Sequence, residues 1–140
     1  MKNSGLLLGR LTLAAIFILF GANYWFKFIP MPPPSGDAAA FIGAMYMSGY
    51  LAVVKGLEVL GGCLLISKRT APLGLLILGP IVVNIVLFDL LLVRAFNPLG
   101  AIVSVLSMLA LWEVRGRFVA LFGNLRISSK AVEEATEVLP

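Results

Sequence analysis

Residues 51–66 read LAVVKGLEVLGGCLLI, an apolar run in which Lys55 and Glu58 stand three residues apart. Apolar residues in unbroken succession read as a membrane-spanning helix, and a spacing of three puts both charges on one face of it. Insertion scales set the cost of Lys or Asp at a helix centre at about 2.5–3.5 kcal/mol and the gain per Leu, Ile, Val or Phe at about 0.3–0.6. With glutamate as costly as aspartate, the pair roughly cancels the apolar gain of the whole helix. Neither charge is therefore expected to face lipid alone. Gly56, Gly61, Gly62 and Cys63 offer small surfaces on which a neighbouring helix can close.

The rest of the chain has the composition of such a neighbour. Of 140 residues, 60% are hydrophobic and 13% charged, with a mean hydropathy of +1.01. A span needs roughly 20 apolar residues, so there is room for about four and for no soluble catalytic domain. The net charge of +4 comes from bases at the ends of apolar runs, a topology signal and not a nucleic-acid patch. One cysteine, Cys63, forms no intrachain disulfide or CxxC pair, and a chain without histidine lacks the usual haem and zinc ligands. No metal site and no covalently bound cofactor are expected, Met31, Met45 and Met47 notwithstanding.

The reading is all-α: a four-transmembrane-helix bundle with short loops and a short amphipathic C-terminal tail. The spans fall at about 6–28, 43–66, 71–93 and 99–114, giving a transmembrane domain over 1–117 and a cytoplasmic interfacial segment over 118–140. The first span ends in the aromatic cluster Tyr24, Trp25, Phe26 and Phe28; a cleaved signal peptide is the competing reading, opposed by Arg10 and by those aromatics. Four prolines between Ile29 and Ser35 make a stiff loop, after which Asp37 is placed to cap a helix. Pro72 suits a first helical turn, Pro80 interrupts the third span, and Asn97-Pro98 reads as a turn and helix start. Lys2, Arg10, Lys68, Arg69, Arg115, Arg117, Arg126 and Lys130 fall on one side, Lys27 and Arg94 on the other, which places both termini in the cytoplasm.

Depth along the spans nominates polar partners. Asn84, mid-way along the third span, reaches Lys55 or Glu58 if its helix packs on the second. These three are the candidate ligand pocket, with helix glue as the equal alternative. Asp89 matches Asn23 and Lys27 in depth, and Arg10 matches Glu113. These form a secondary intramembrane polar set.

With these residues in view, the chain resembles the DoxX-like family of small bacterial four-helix membrane proteins. The resemblance rests on Phe28-Ile29-Pro30-Met31-Pro32-Pro33-Pro34, on Gly49-Tyr50 through Lys55, Glu58 and Gly61-Gly62, and on Pro80-Ile81-Val82-Val83-Asn84-Ile85 with Phe88, within about residues 5–112. Similar sequences often carry histidine after that phenylalanine, where this chain has Asp89, so no imidazole chemistry is expected there. The resemblance implies a four-helix bundle in the bacterial inner membrane.

No self-contained catalytic motif is present, and at most an oxidoreductase subunit is expected. The leading expectation is an accessory subunit of a quinone-linked membrane redox system, with Lys55 donating to a quinone carbonyl and Glu58 setting the lysine's charge. The alternative is a non-catalytic assembly protein that binds a membrane or cytosolic partner. An oligomeric small-solute or proton-linked transporter is the third. The lipid bilayer is the expected surrounding, and no nucleic acid is expected.

Overall fold

The computed structural model describes residues 2–94 and 97–137, with side chains over 4–94 and 97–119. Among the described residues every regular element is helical: α1 (Lys2–Phe26), α2 (Gly36–Met47), α3 (Tyr50–Ile66), α4 (Ala71–Phe88) ending in a π-helical turn at Asp89–Val93, and α5 (Pro98–Glu137). Three stretches are long and apolar enough to cross a membrane: Ser4–Phe26, Ala71–Val93 and Pro98–Val119. A fourth is added if α2 and α3 count as one bent span.

Helix α1 packs on α3, α3 on α4, α4 on α5 and α5 back on α1, so these four close a ring. The core inside it is small and largely aliphatic, built on Leu13, Leu65, Leu78, Val103 and Val114 with one aromatic ring, Phe17. Glycines set the helix spacing. A Cβ at Gly21 would lie 2.8 Å from Val59 Cγ2 and 3.0 Å from the Lys55 carbonyl oxygen, and one at Gly62 would lie 3.0 Å from that of Ala14. Gly61 and Gly74 face each other's helices in the same way, so backbones approach where side chains would hold them apart.

The span expected at 43–66 is broken. Met47 ends α2, Gly49 takes φ 76°, and α3 leaves at 87° to α2. Ser48 donates its hydroxyl to the Met45 carbonyl, which satisfies part of the α2 end, and glycine alone accepts that left-handed backbone without a Cβ penalty. Asp37 does not cap α2. The cap position is Ser35, without a side-chain bond, and Asp37 lies in the first turn, where its charge suits the helix dipole. The last helix runs on through residue 117 to Glu137, so the boundary expected there carries no break. The amphipathic character expected of the tail concerns side chains from residue 120 onward, which lie outside the described ones.

Other punctuation follows the residue chemistry. Pro72 occupies the first turn of α4 behind Thr70, whose hydroxyl donates to the Leu64 carbonyl at 2.7 Å. Asn97 starts α5 by accepting the Leu99 amide at 3.1 Å.

Candidate functional site

Lys55 and Glu58 form a closed pair. Lys55 Nζ donates to both carboxylate oxygens at 2.8 Å, and the side chains are 25% and 5% exposed, so the glutamate is the buried member. Gly21 of α1 lies against this turn of α3, with a virtual Cβ 3.2 Å from Glu58 Cβ. Because α3 begins only at Tyr50, Lys55 lies five residues, about 7.5 Å, from the helix end and not at mid-depth. Glu58 sits one turn further into the helix and is the more deeply buried of the two.

Asn84 does not join them. It lies on the exposed side of α4 with Val83 and Leu87, and neither Lys55 nor Glu58 bonds to it. The proline four residues before it continues the same outward stripe. The three-residue cluster expected from depth is therefore a pair plus an outward-facing amide. Depth constrains position along a helix axis but not rotation about it.

Arg10 and Glu113 are brought together at the other end of the ring. Arg10 is 1% exposed; its Nε donates to Glu113 Oε2 at 3.0 Å, and its Nη1 donates to the carbonyl oxygens of Leu65 and, at 2.9 Å, Ile66. Those carbonyls end α3 and have no partners within the helix, so the guanidinium caps α3 as well as pairing across to α5. Lys68 Nζ stands 3.6 Å from Glu113 Oε1, and Arg117 donates to the Lys68 carbonyl at 2.7 Å. One buried arginine thereby ties α1, α3 and α5 together.

Asn23 and Asp89 do not meet. The Asn23 carboxamide clasps the turn after α1, donating to the Ile29 carbonyl at 3.0 Å and accepting the Ile29 amide at 2.7 Å. Asp89 accepts from Asn97 Nδ2 at 3.1 Å and lies against Gly100, where any Cβ would collide with its carboxylate. A carboxylate at the start of α5 is favoured by the dipole. Arg94 turns instead to the Leu91 carbonyl. Cys63 is exposed.

The described residues form, among others, two cavities. One of about 280 Å³ at the Arg10 end is lined by Leu6, Lys68, Trp112, Glu113, Arg115 and Gly116. An open groove of about 650 Å³ follows the α2–α3 bend along Met45, Ser48, Gly49 and Tyr50. Neither is lined by Lys55, Glu58 or Asn84. Among the described residues no three metal-ligating side chains cluster. Sequence reasoning left out Lys68, Trp112 and Arg115 as site residues. Two bases in a short loop opposite Trp-Glu-Val-Arg at the end of a span were the available signal.

Fold and site together define a compact all-helical protein with three to four apolar helices of membrane-crossing length, whose buried side-chain polar atoms all have hydrogen-bond partners among the described residues. Over 75 residues the chain is 37% identical to "Uncharacterized protein YwoB" of Bacillus subtilis (strain 168), an alignment covering 54% of this chain and 49% of that protein. The chain thus spans about half the length of the curated relative it matches. No family model and no solved structure matches it.

Proposed function

We propose that the chain is a multi-pass protein of DoxX-like type whose work is assembly in the membrane, and that it self-associates through the outward side of α4. Its helices make four crossings of a bacterial inner membrane, with α2 and α3 counted as one bent crossing and both termini cytoplasmic. The orientation is supported by Arg10, Lys68, Arg69, Arg115 and Arg117 at one end against Lys27 and Arg94 at the other.

Asn84 is the observation that carries the assembly reading. It lies 13 residues from one end of Ala71–Val93 and 9 from the other, so its carboxamide falls in mid-hydrocarbon, where an unbonded amide costs several kcal/mol. Pro80, on the same stripe, has no N–H and leaves the Leu76 carbonyl without its usual partner. Beyond Ile81 no residue of this span, as far as Val93, is buried inside the chain. The occupant that fits is a second copy, because a carboxamide both donates and accepts and so complements itself across a two-fold axis.

Crosslinking in lipid over a range of protein-to-lipid ratios tests this. Asn84→Leu is expected to weaken the dimer about 5–30-fold, the equivalent of about 1–2 kcal/mol for an interhelical amide bond, while Asn84→Gln retains it. A monomer at every ratio, or an undiminished Asn84→Leu dimer, ends the reading.

The quinone-linked accessory role is a second reading. It is favoured by the partial exposure of Lys55, whose ammonium has a third proton beyond the two directed at Glu58. Lys55→Ala and Glu58→Gln that fold normally and leave quinone-linked respiration unchanged would remove it.

A further inference from the structure

We infer that the 280 Å³ cavity at the Arg10 end is a binding site for the phosphodiester group of an anionic phospholipid, with Lys68 and Arg115 as its cationic ligands. The cavity lies where the spans end: Leu6 belongs to the first turns of α1, Lys68 to the loop joining α3 and α4, and Trp112 to Gly116 to the last part of the apolar stretch of α5. That level is the headgroup layer, where tryptophan is at home and Trp112 is 61% exposed.

The charge balance favours an anion. Glu113 is the cavity's one carboxylate, and both its oxygens are engaged, Oε2 by Arg10 and Oε1 by Lys68. With Arg10 behind it, the site holds three positive charges against one negative. Arg115 Cζ lies 4.0 Å from the Trp112 ring centroid, a stacking that fixes the guanidinium plane and leaves its N–H edge free for oxygen acceptors. Arg117, bonded to the Lys68 carbonyl, holds the backbone of the loop that presents the lysine. A rigid fork and a point charge on either side of a small cavity suit two phosphate oxygens, and Leu6 with the face of Trp112 suits the glycerol and first methylenes beneath them. A choline or ethanolamine headgroup would bring its own cation against Lys68 and Arg115, so the preference is for phosphatidylglycerol-type lipids.

The test uses the full chain carrying Trp25→Phe, so that Trp112 is the sole tryptophan and is excited selectively at the red edge, in vesicles of phosphatidylcholine containing brominated phosphatidylglycerol or brominated phosphatidylcholine. Quenching is expected to show several-fold enrichment of the anionic lipid beside Trp112. Arg115→Gln should reduce that enrichment about fivefold, the contribution of one base at an anionic surface, and Arg115→Lys should restore most of it. Arg115 makes no hydrogen bond or ion pair to another described residue, so the variant is expected to fold. Lys68→Gln is the second variant, monitored for the integrity of the Glu113 contacts by its thermal midpoint. Equal quenching by both lipids, or an enrichment unchanged in Arg115→Gln and Lys68→Gln, overturns the proposal. Loss of the enrichment to millimolar inorganic phosphate at constant ionic strength also overturns it, by assigning the site to a soluble phosphate.

Discussion

Replacing Arg10 by leucine removes a side chain of α1 that bonds to both α3 and α5. Its partner Glu113 is 6% exposed, and breaking a buried pair from one side costs roughly 3–5 kcal/mol because the other charge is stranded. Lys68, 3.6 Å from the second carboxylate oxygen, stays behind and softens this, so Arg10→Leu is expected at the low end, about 3 kcal/mol. Glu113→Leu strands the guanidinium, which keeps the carbonyls of Leu65 and Ile66, and a similar cost of about 3 kcal/mol is expected. The double variant has no stranded charge, and its cost should be about 4 kcal/mol, a coupling of about 2. Reversible unfolding in lipid–detergent mixtures, followed by tryptophan fluorescence, gives the four corners of the cycle. A double variant destabilised by the full sum, with coupling under about 0.5 kcal/mol, would refute the claim that the pair acts as one unit.

Two further perturbations probe other contacts. Gly21→Ala drives a methyl to 2.8 Å from Val59 and against the Lys55 carbonyl, and should cost about 1–3 kcal/mol by the same unfolding assay, whereas Gly5→Ala, with nothing within 4 Å, should cost nothing measurable. Asn23→Ala removes both bonds to Ile29 and should loosen the turn after α1 by about 1–2 kcal/mol, read as faster hydrogen exchange at the Ile29 amide; unchanged protection there would discount the clasp.

The all-helical character and the approximate ends of three spans were legible because each depends on local composition: an apolar run, a proline-rich breaker, a basic loop. The Arg10–Glu113 contact was legible for a related reason, since two charges at the ends of long apolar runs have few places to go. The broken second span was not. Ser48-Gly49 is a breaker dipeptide, but the hydropathy on either side is continuous, and only the left-handed φ of Gly49 turns a candidate bend into a right angle. Asn84 escaped for want of rotational information: α4 is apolar on every side, so no periodicity distinguishes its packed face, Leu75, Leu78 and Ile81, from its outward one. Asp89 was misassigned because its partner, Asn97, follows only eight residues later across a turn, a local contact that depth matching between helices overlooks.

The right angle at Gly49 also sets a length. On the proposed four-crossing reading, the 87° bend leaves α3 to supply 17 helical residues, about 25 Å, to the second crossing, against a hydrocarbon layer of about 30 Å. A wall of the ring shorter than the bilayer is thick draws the lipid inward there, at a fraction of a kcal/mol for each ångström of mismatch. The protein should therefore partition toward thinner membranes, and a chain lengthened by one helical turn between Gly49 and Lys55 should lose that preference.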